Sequence, residues 1–188
     1  MNKQRDNDRV YGVYSQSVLS QKVFLLITEV GNNVKQNLER VIDHKTSGKC
    51  IAEGFIRPGS VKVTSYSSGS IRGDRIEYQV VFECMICHPV DGMLIECKTK
   101  TITKAGIHAE VVDTDGTVPV TVFIARDHHF TDKRFSNIVE NEMIMTSVIG
   151  VRFELNDPYI CVIAKIVDNK HTDNGRNAKK PALNILED

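Results

Sequence analysis

The sequence lacks any apolar run that approaches the ~20 residues of a membrane-spanning helix. It also lacks a secretory signal, because its first residues, MNKQRDNDRV, are polar and mixed in charge and no apolar segment follows them. We therefore expect a protein that works inside a cell and has no membrane partner. The 188 residues, of which 41% are hydrophobic and 26% charged, are typical of a globular chain with one large or two small domains.

An excess of charge of either sign is also missing, because 24 Lys and Arg residues balance 24 Asp and Glu residues. No global basic field therefore indicates a nucleic-acid-binding protein. The two parts of the chain differ, since residues 18–90 carry nine basic and seven acidic residues, whereas residues 91–168 carry eight basic and twelve acidic ones. Any nucleic-acid contact in the second part must come from a local patch.

Cysteine is present in an odd number, five, which fits reduced thiols better than a disulfide framework. The stretch Cys84-Met85-Ile86-Cys87-His88 matches a pattern that can mark c-type haem attachment, half of a zinc site or a redox dithiol. In a strand, however, positions three apart point to opposite faces, so the two sulfurs cannot converge on one metal ion or haem. We predict structural thiols here. Three further cysteines stand alone in predicted strands and are expected to be buried and inert: Cys50, Cys97 and Cys161.

Other patterns that could indicate a catalytic or metal site are incomplete. Adjacent side chains in an extended segment diverge, so we predict that His128-His129 lies in a surface loop. Asp113-Thr114-Asp115-Gly116 is similar to the start of a calcium loop but lacks the later ligands, and we predict a β-turn. We therefore predict no catalytic residue, no metal and no cofactor.

Hydrophobic periodicity predicts an α+β domain over residues 18–90, after a flexible leader of residues 1–17. A strand at Gln21–Thr28 precedes an amphipathic helix that Asn32 or Asn33 could cap and Gly48 could end. The apolar residues on one face of this helix are Val30, Val34, Leu38, Val41 and Ile42. The strands that follow are predicted at Cys50–Ile56, Ser60–Tyr66 and Arg75–Cys87.

Pro89 ends the last of these strands, and Pro89 with Gly92 predicts an interdomain hinge. Five strands follow over residues 91–168, with one longer excursion between the third and the fourth, which is the order of an OB-type barrel. They are predicted at Met93–Thr103, Ile107–Val112, Val118–Ala125, Ser147–Leu155 and Tyr159–Val167. Residues 169–188 are predicted to be a loose polar tail. The fold class is therefore α+β followed by all-β.

One surface of the predicted barrel combines cations with rings. OB barrels bind single strands on the face of their second and third strands, through basic side chains and stacking aromatics. The candidate RNA-binding residues are Lys98, Lys100, Lys104, His108, Phe123, Arg126 and His128. The alternative is that these are solvated side chains on a barrel exterior.

The ordered segments GKCIAEGFIRPGSVKV, HPVDGMLIECKTKTITKAGIHAEV and VPVTVFIARDH resemble a known family. They are similar to the larger stalk subunit, the seventh-subunit family, of archaeal and eukaryotic DNA-directed RNA polymerases. The features that carry the resemblance are Gly48, Gly54 through Gly59, Pro89 with Gly92, and the run Lys104-Ala105-Gly106-Ile107-His108-Ala109-Glu110, with Val122-Phe123-Ile124 after it. The resemblance covers residues 18–168.

The resemblance implies a non-catalytic subunit with a truncated RNP-like N-terminal domain and a C-terminal OB barrel that can contact nascent single-stranded RNA. It implies that a tip loop docks on the largest subunits of the polymerase core near the clamp. Here the residues of that tip are Gly54, Phe55, Ile56, Arg57, Pro58 and Gly59. A small fourth-type subunit is implied as a partner along the junction of the two domains.

The chain also departs from the family pattern. Val90-Asp91-Gly92-Met93 replaces the usual aromatic residue and Gly-Glu pair of the hinge, the leader is an addition, and the barrel is acidic. Such departures suit a divergent member, for instance one encoded by a large DNA virus with its own polymerase. The expected location is a site of transcription: the nucleus for a cellular protein, the cytoplasm or the virion for a viral one.

Two other hypotheses stay open at this point. The first is a free-standing OB-type RNA-binding or translation factor, which would not need a conformationally specified Arg57-Pro58-Gly59 tip. The second is a thiol or metal oxidoreductase that uses Cys84 and Cys87.

Overall fold

The computed structural model describes residues 12–31, 33–129 and 133–167. The first half contains β1 (Tyr14–Leu26), α1 (Val34–Thr46), β2 (Cys50–Ile51), β3 (Gly54–Ile56), β4 (Lys62–Tyr66), β5 (Ser70–Arg72) and β6 (Arg75–Cys87). The second half contains β7 (Leu94–Ile102), β8 (Gly106–Val111), β9 (Val120–Ala125), α2 (Lys133–Asn137), β10 (Met143–Arg152) and β11 (Ile160–Ile166). Short 3-10 turns lie at Ile27–Glu29 and Arg126–His128. Within these described ranges, no helix has the length and apolar character to cross a membrane.

The first half is a mixed-length antiparallel sheet centred on β6. β1 pairs with β6 along its whole length, from Tyr14 opposite Cys87 to Leu26 opposite Arg75, and β3, β4 and β5 pair with the other edge of β6. The strand predicted at Arg75–Cys87 is confirmed as β6, and every second side chain from Tyr78 to Ile86 is buried. The helix α1 covers this face with four of the five apolar residues predicted for its stripe, and both Leu38 and Ile42 are completely buried there. The fifth, Val30, precedes the helix, which begins at Val34.

The second half is a closed five-stranded barrel with the strand order β10-β11-β9-β8-β7. All neighbours are antiparallel except β9 and β11, which run parallel. The number and order of the strands and the longer excursion between the third and the fourth are as predicted, and the architecture is consistent with an OB-like barrel. The bounds of the fourth strand were predicted wrongly, because β10 runs over Met143–Arg152 and not over Ser147–Leu155: residues 143 to 147 pair with β7. Inward side chains such as Ile95, Ile107, Ile124 and Ile160 fill its core and are fully buried.

The beginning of the first strand was predicted wrongly. The leader was predicted to extend to residue 17, whereas β1 begins at Tyr14 because β6 offers hydrogen-bonding partners up to Cys87. The polar side chains of Ser15 and Gln16 are exposed to solvent, so their polarity is compatible with a strand at this edge of the sheet. Residues 1–11, the alternative cap Asn32 and the predicted tail all lie outside the described residues.

The strand predicted over residues 50–56 is a tight hairpin of β2 and β3. Gly54 explains the turn, since its φ is +135° and a Cβ there would lie 2.3 Å from the carbonyl oxygen of Cys87. Only glycine allows β3 to approach the end of β6 this closely. The helix α1 begins after Asn33, whose side chain makes no capping hydrogen bond, and Gly48 follows its end with a φ of +70°.

The core is divided into two clusters that do not coincide with the predicted domain boundary. One cluster lies between α1 and the sheet. The other fills the barrel but also includes four residues of the first half: Val13, Cys50, Phe55 and Cys87. The barrel core therefore continues into the end of the first sheet, while the division at residues 90 and 91 stays a prediction.

Candidate functional surfaces at the junction and on the barrel

The run predicted as a docking tip is largely buried. Phe55 is 1% and Ile56 0% exposed, because both side chains of β3 point into the two core clusters. Gly54 is buried as well, Arg57 is half-buried, and only Pro58 and Gly59 are exposed. A partner can therefore contact this segment at the Pro58-Gly59 turn, and the remaining four residues support that turn from below.

Arg57 links the two halves of the molecule. Its Nε lies 2.6 Å from Asp113 Oδ2, and its Nη2 lies 3.2 Å from Asp115 Oδ2 and donates to Thr114 Oγ1 at 3.1 Å. Its guanidinium also stands 5.6 Å from the centre of the Tyr14 ring. Such charge-assisted contacts are stronger when they are partly removed from water, as here, where 29% of the Arg57 side chain and 13% of the Asp113 side chain are exposed.

The Asp113 segment is a turn, as predicted. Gly116 N–H donates to Asp113 O at 2.9 Å and Asp113 N–H to Thr117 O at 2.8 Å, with Gly116 at a φ of +79°. The acidic side chains that gave this segment its likeness to a calcium loop bind Arg57 instead. The sequence contains no signal for this pairing, because the partners are 56 residues apart and belong to different elements.

Backbone hydrogen bonds reinforce the junction. Cys50 N–H donates to Asp157 O, and Asn156 N–H donates to Cys50 O, both at 2.8 Å. The predicted hinge residues form a turn beside these contacts: Pro89 is buried, and Gly92, at a φ of +81°, donates its N–H to Val148 O at 2.9 Å. Hinge motion at Pro89 and Gly92 stays a prediction, and the contacts around them oppose it.

A mostly apolar groove of about 500 Å³ lies at this junction. Tyr14, Arg57 and Met85 line it from the first half, and Lys98, Val111 and Met143 are among the barrel residues opposite. The hydroxyl of Tyr14 is buried there and has no hydrogen-bond partner among the described residues. Burial, followed by the nearby Asp113 carboxylate, raises the pKa of Tyr14 well above its usual value, so this hydroxyl stays protonated.

A second groove, of about 390 Å³, lies on the barrel exterior across β8, β9, β11 and β10. The rings of His108 and Phe123, on neighbouring strands, have centroids 4.8 Å apart and are tilted by 46°. Arg152 and the exposed side chain of Ile163 also line this groove. The arrangement is an exposed His108 ring against a half-buried Phe123 ring, beside one cation, which is the chemistry of a stacking platform for an unpaired base.

The seven predicted RNA-binding residues fall into three places. His108 and Phe123 form the ring pair just described. Lys98 and Lys100 lie on one face near Glu110: Lys98 is paired opposite it in the strand, and the Lys100 Nζ lies 3.0 Å from the Glu110 Oε2. Lys104, Arg126 and His128 are exposed; Arg126 lies at the β7–β8 corner, where its Nε donates to Lys104 O at 2.8 Å, and His128 ends the 3-10 turn that Arg126 begins.

His129 was predicted to lie in a surface loop with His128, and this is wrong. His128 is exposed, whereas His129 is 7% exposed and stacks on Phe135 at 5.3 Å. Its Nε2 accepts the Ile166 N–H at 3.0 Å, so its Nδ1 carries the proton and donates to Ala125 O at 2.9 Å. Both ring nitrogens are used for structure, which fixes the path of the chain after β9.

The sulfurs of Cys84 and Cys87 point to opposite faces, as predicted. Cys84 packs into the cluster beneath α1 and Cys87 into the cluster of the barrel. Burial raises the pKa of Cys84 to about 11 and that of Cys87 to about 12, which makes both thiols poor nucleophiles. Cys50 and Cys97 are also buried, but the prediction for Cys161 is wrong, because it lies on the outward face of β11 and is exposed. Across the parts of the chain that are described, no group of three or more His, Cys, Asp or Glu side chains could hold a metal ion.

Comparison with known proteins gives one informative similarity. The chain is 27% identical, over an alignment 190 positions long, to a protein of Acanthamoeba polyphaga mimivirus named "Putative DNA-directed RNA polymerase subunit". The alignment covers 93% of this chain and 92% of the mimivirus protein. No protein-family model matches the chain. The similarity therefore extends over nearly the whole length of both proteins and links this chain to a viral protein that is named as a polymerase subunit.

Proposed function

We propose that this chain is a non-catalytic stalk subunit of a multisubunit DNA-directed RNA polymerase. The observation that carries the proposal is the end-to-end similarity to the mimivirus protein, because it spans both the sheet half and the barrel half. The OB-like barrel and the three ordered segments that resemble the larger stalk subunit support the finer assignment. In this proposal the first half, a sheet with α1 on one face, corresponds to the truncated RNP-like domain.

Docking on the largest subunits of the core is assigned to the Pro58-Gly59 turn. The turn is exposed, and its base is held by Arg57 and by Ser60, whose Oγ donates to Arg57 O at 2.7 Å. A rigid turn loses little conformational entropy when it binds, which favours its use as an anchor. Arg57 makes its contacts within this chain. A specific conformation of Arg57 is therefore expected both of a stalk subunit and of a free-standing RNA-binding factor, and it does not distinguish the two hypotheses.

The groove at the junction is the proposed binding site of the small partner subunit. The groove is concave and mostly apolar, and two methionines, Met85 and Met143, line it from the two halves. Flexible methionine side chains adapt to an incoming apolar surface. A partner seated here would contact both halves at once and would stabilise their mutual arrangement.

Contact with nascent RNA is assigned to the ring pair of His108 and Phe123. The exposed His108 ring and the half-buried Phe123 ring provide stacking, and Arg152 provides a local cation in a half of the chain that is acidic overall. The protein would then act where transcription takes place, in the nucleus, or in the cytoplasm or virion of a viral system.

The proposal is tested by affinity purification of the tagged chain from its native source, followed by identification of the co-eluting proteins. We expect the two largest polymerase subunits and one small subunit to co-elute. A free-standing RNA-binding factor would instead elute without polymerase subunits.

A further inference from the structure

Four residues that line the second groove form one straight row across four strands of the barrel. In order, from β10 through β11 and β9 to β8, the residues that pair opposite one another are Gly150, Ile163, Phe123 and His108. The residues next to the row along β11 and β9, Val162 and Val122, are buried in the barrel core, so the row lies on the outer surface. The ring pair thus occupies one end of the row and Gly150 the other.

The ring of Phe123 is held toward β8. It packs against His108, and a Cβ added at Gly106, which is also on β8, would lie 2.8 Å from the Phe123 Cζ. The ring therefore rests on backbone that only glycine leaves bare. Because both contacts are with β8, the other side of the ring faces the part of the row that contains Ile163 and Gly150. A ring that is already fixed loses little conformational entropy when a ligand stacks on it.

The space above Gly150 is empty. A Cβ added there would meet no atom of a non-adjacent residue within 4 Å, and the φ of Gly150 lies outside the left-handed region. A bulge in β10 puts this residue in the row, because the pairing with β11 shifts between Val148 and Gly150. Without the shift, Ile149 would lie opposite Ile163 and its side chain would fill the space. The bulge therefore exchanges an isoleucine for an opening beside the exposed Ile163.

A second row runs beside the first and carries the cation of the groove. It consists of Arg152, Cys161 and Thr121, each two residues along its strand from the first row, which is a distance of about 6.7 Å. Arg152 pairs with Glu154 at 3.4 Å, but both side chains are highly exposed, so this pair competes weakly with a ligand. Among the residues that the structure describes, no Asp or Glu lines the groove. The groove thus suits a flat ring that is joined to an anionic group.

We propose that the open space above Gly150 and Ile163 is the seat of one unpaired nucleobase of RNA, which stacks on the Phe123 ring and extends over Gly150. The adjoining phosphate then lies at Arg152, in the second row. Gly150 is the positioning residue of this seat, since any side chain there would occupy the place of the base. The proposal rests on the proposed contact with nascent RNA and deepens it. A base within a duplex is covered on both faces by its neighbours, so the seat selects single-stranded RNA.

The first test fills the seat with a side chain. Gly150→Val should leave the fold intact, because nothing lies near the added carbons and valine favours strands. It should weaken binding of a single-stranded uridylate oligomer by roughly tenfold, as expected for the loss of one stacked base. Gly150→Ala should fall between the wild type and Gly150→Val, and a loss that follows side-chain size in this way excludes misfolding as its cause.

Gly31→Val is the matched control. A Cβ at Gly31 also meets nothing within 4 Å, and its φ also lies outside the left-handed region, but this exposed residue belongs to the first half of the chain. The variant should bind the oligomer as the wild type does. Fluorescence anisotropy of the full-length variants measures the affinities.

Cys161 reports whether the seat is occupied. It is exposed in the second row, whereas the other four cysteines are buried. The oligomer should slow alkylation of Cys161 by iodoacetamide in the wild type and in Gly31→Val. The same oligomer concentration should give less protection in Gly150→Val, and a duplex of the same length should give none.

The outcomes distinguish the seat from the RNA contact on which it rests. If Phe123→Leu weakens binding and Gly150→Val does not, the base lies elsewhere on the ring pair, and the seat is wrong while the RNA contact stands. Tight binding that leaves Cys161 unprotected would place the RNA on another surface and would overturn the seat as well. If the wild-type chain does not bind the oligomer, both the seat and the proposed RNA contact are wrong.

Discussion

Arg57 and Asp113 form an ion pair, with Nε 2.6 Å from Oδ2, that joins the hairpin of the first half to a turn of the barrel. The pair lies at the mouth of the junction groove and at the base of the exposed Pro58-Gly59 turn. The junction groove and the Pro58-Gly59 turn, which are the two candidate protein-binding sites, are therefore both held in place by this ion pair.

Replacement of Asp113 by Asn tests this support. The substitution keeps the shape of the side chain but leaves the half-buried guanidinium with a weaker partner, so we expect the free energy of unfolding to fall by about 1–3 kcal/mol. Denaturant unfolding of the full chain measures the change. Glu154→Gln is the control, because the Arg152–Glu154 pair is 84% and 74% exposed and should contribute little. Equal effects of the two variants would contradict a special role for Arg57 and Asp113.

The buried thiols predict how stability depends on pH. Burial raises the pKa of Cys50, Cys84 and Cys97 to about 11 and that of Cys87 to about 12, from an ordinary value of 9.0. The native state thus holds protons that the unfolded chain releases. The free energy of unfolding should be insensitive to these thiols below pH 9 and should decrease above it, by about 1.4 kcal/mol per pH unit for each thiol.

Denaturant unfolding between pH 8 and pH 10.5 measures this slope. Cys87→Ala should make the decrease shallower, whereas Cys161→Ala, at the exposed cysteine, should leave it unchanged. A slope that is the same in both variants would show that Cys87 is not the source of the effect.

Local periodicity was sufficient to predict the helix, the long strand β6 and the five barrel strands, because each has a one-sided apolar pattern of sufficient length. The opposite orientations of Cys84 and Cys87 followed from the same period of two. Periodicity does not say which distant segment a strand or a charge will meet. The extension of β1 to Tyr14 depends on pairing with Cys87, and the role of Arg57 depends on a turn that lies 56 residues later.

The candidate sites were predictable only in part, for the same reason. His108 and Phe123 were selected as members of neighbouring strands, and the structure places their rings side by side. Arg152 and Cys161 line the same groove from β10 and β11, whose positions in the barrel no local pattern gives. His129 adjoins the exposed His128, yet it is buried because Phe135 and the Ile166 N–H meet its ring from other elements.

The ring pair predicts a specific pattern of RNA binding. Phe123→Leu keeps an apolar side chain but removes the stacking ring, so the affinity for a single-stranded uridylate oligomer should fall by about 1–2 kcal/mol, roughly tenfold. Arg152→Ala should lower the slope of log K against log salt by about one. Fluorescence anisotropy over a salt series measures both quantities.

Two controls decide whether the groove is the RNA site. Tyr159→Leu removes a ring that is 42% exposed but lies outside the groove, and Lys98→Ala removes a cation of the junction. Both should bind the oligomer as the wild type does. If Lys98→Ala weakens binding more than Phe123→Leu, RNA binds at the junction and the assignment to the ring pair is wrong.

The docking turn is tested by Pro58→Glu combined with Gly59→Glu. Both positions are exposed, and Gly59 has a φ of +69° with open space around it. The variant should stay folded but lose the largest polymerase subunits on co-purification. Gly73→Glu is the matched control, because Gly73 has a φ of +64° and equally open surroundings, so it carries the same backbone strain at a different site. Retention of the polymerase by the double variant would contradict docking at this turn.

The most direct test of the central claim is the composition of the complex that the wild-type chain forms in its native source. If the chain is a polymerase stalk subunit, affinity purification at moderate salt should recover the two largest polymerase subunits in near-equal amounts to the tagged chain. Recovery of the chain free of these subunits, or with ribosomal or other RNA-bound proteins in their place, would contradict the account.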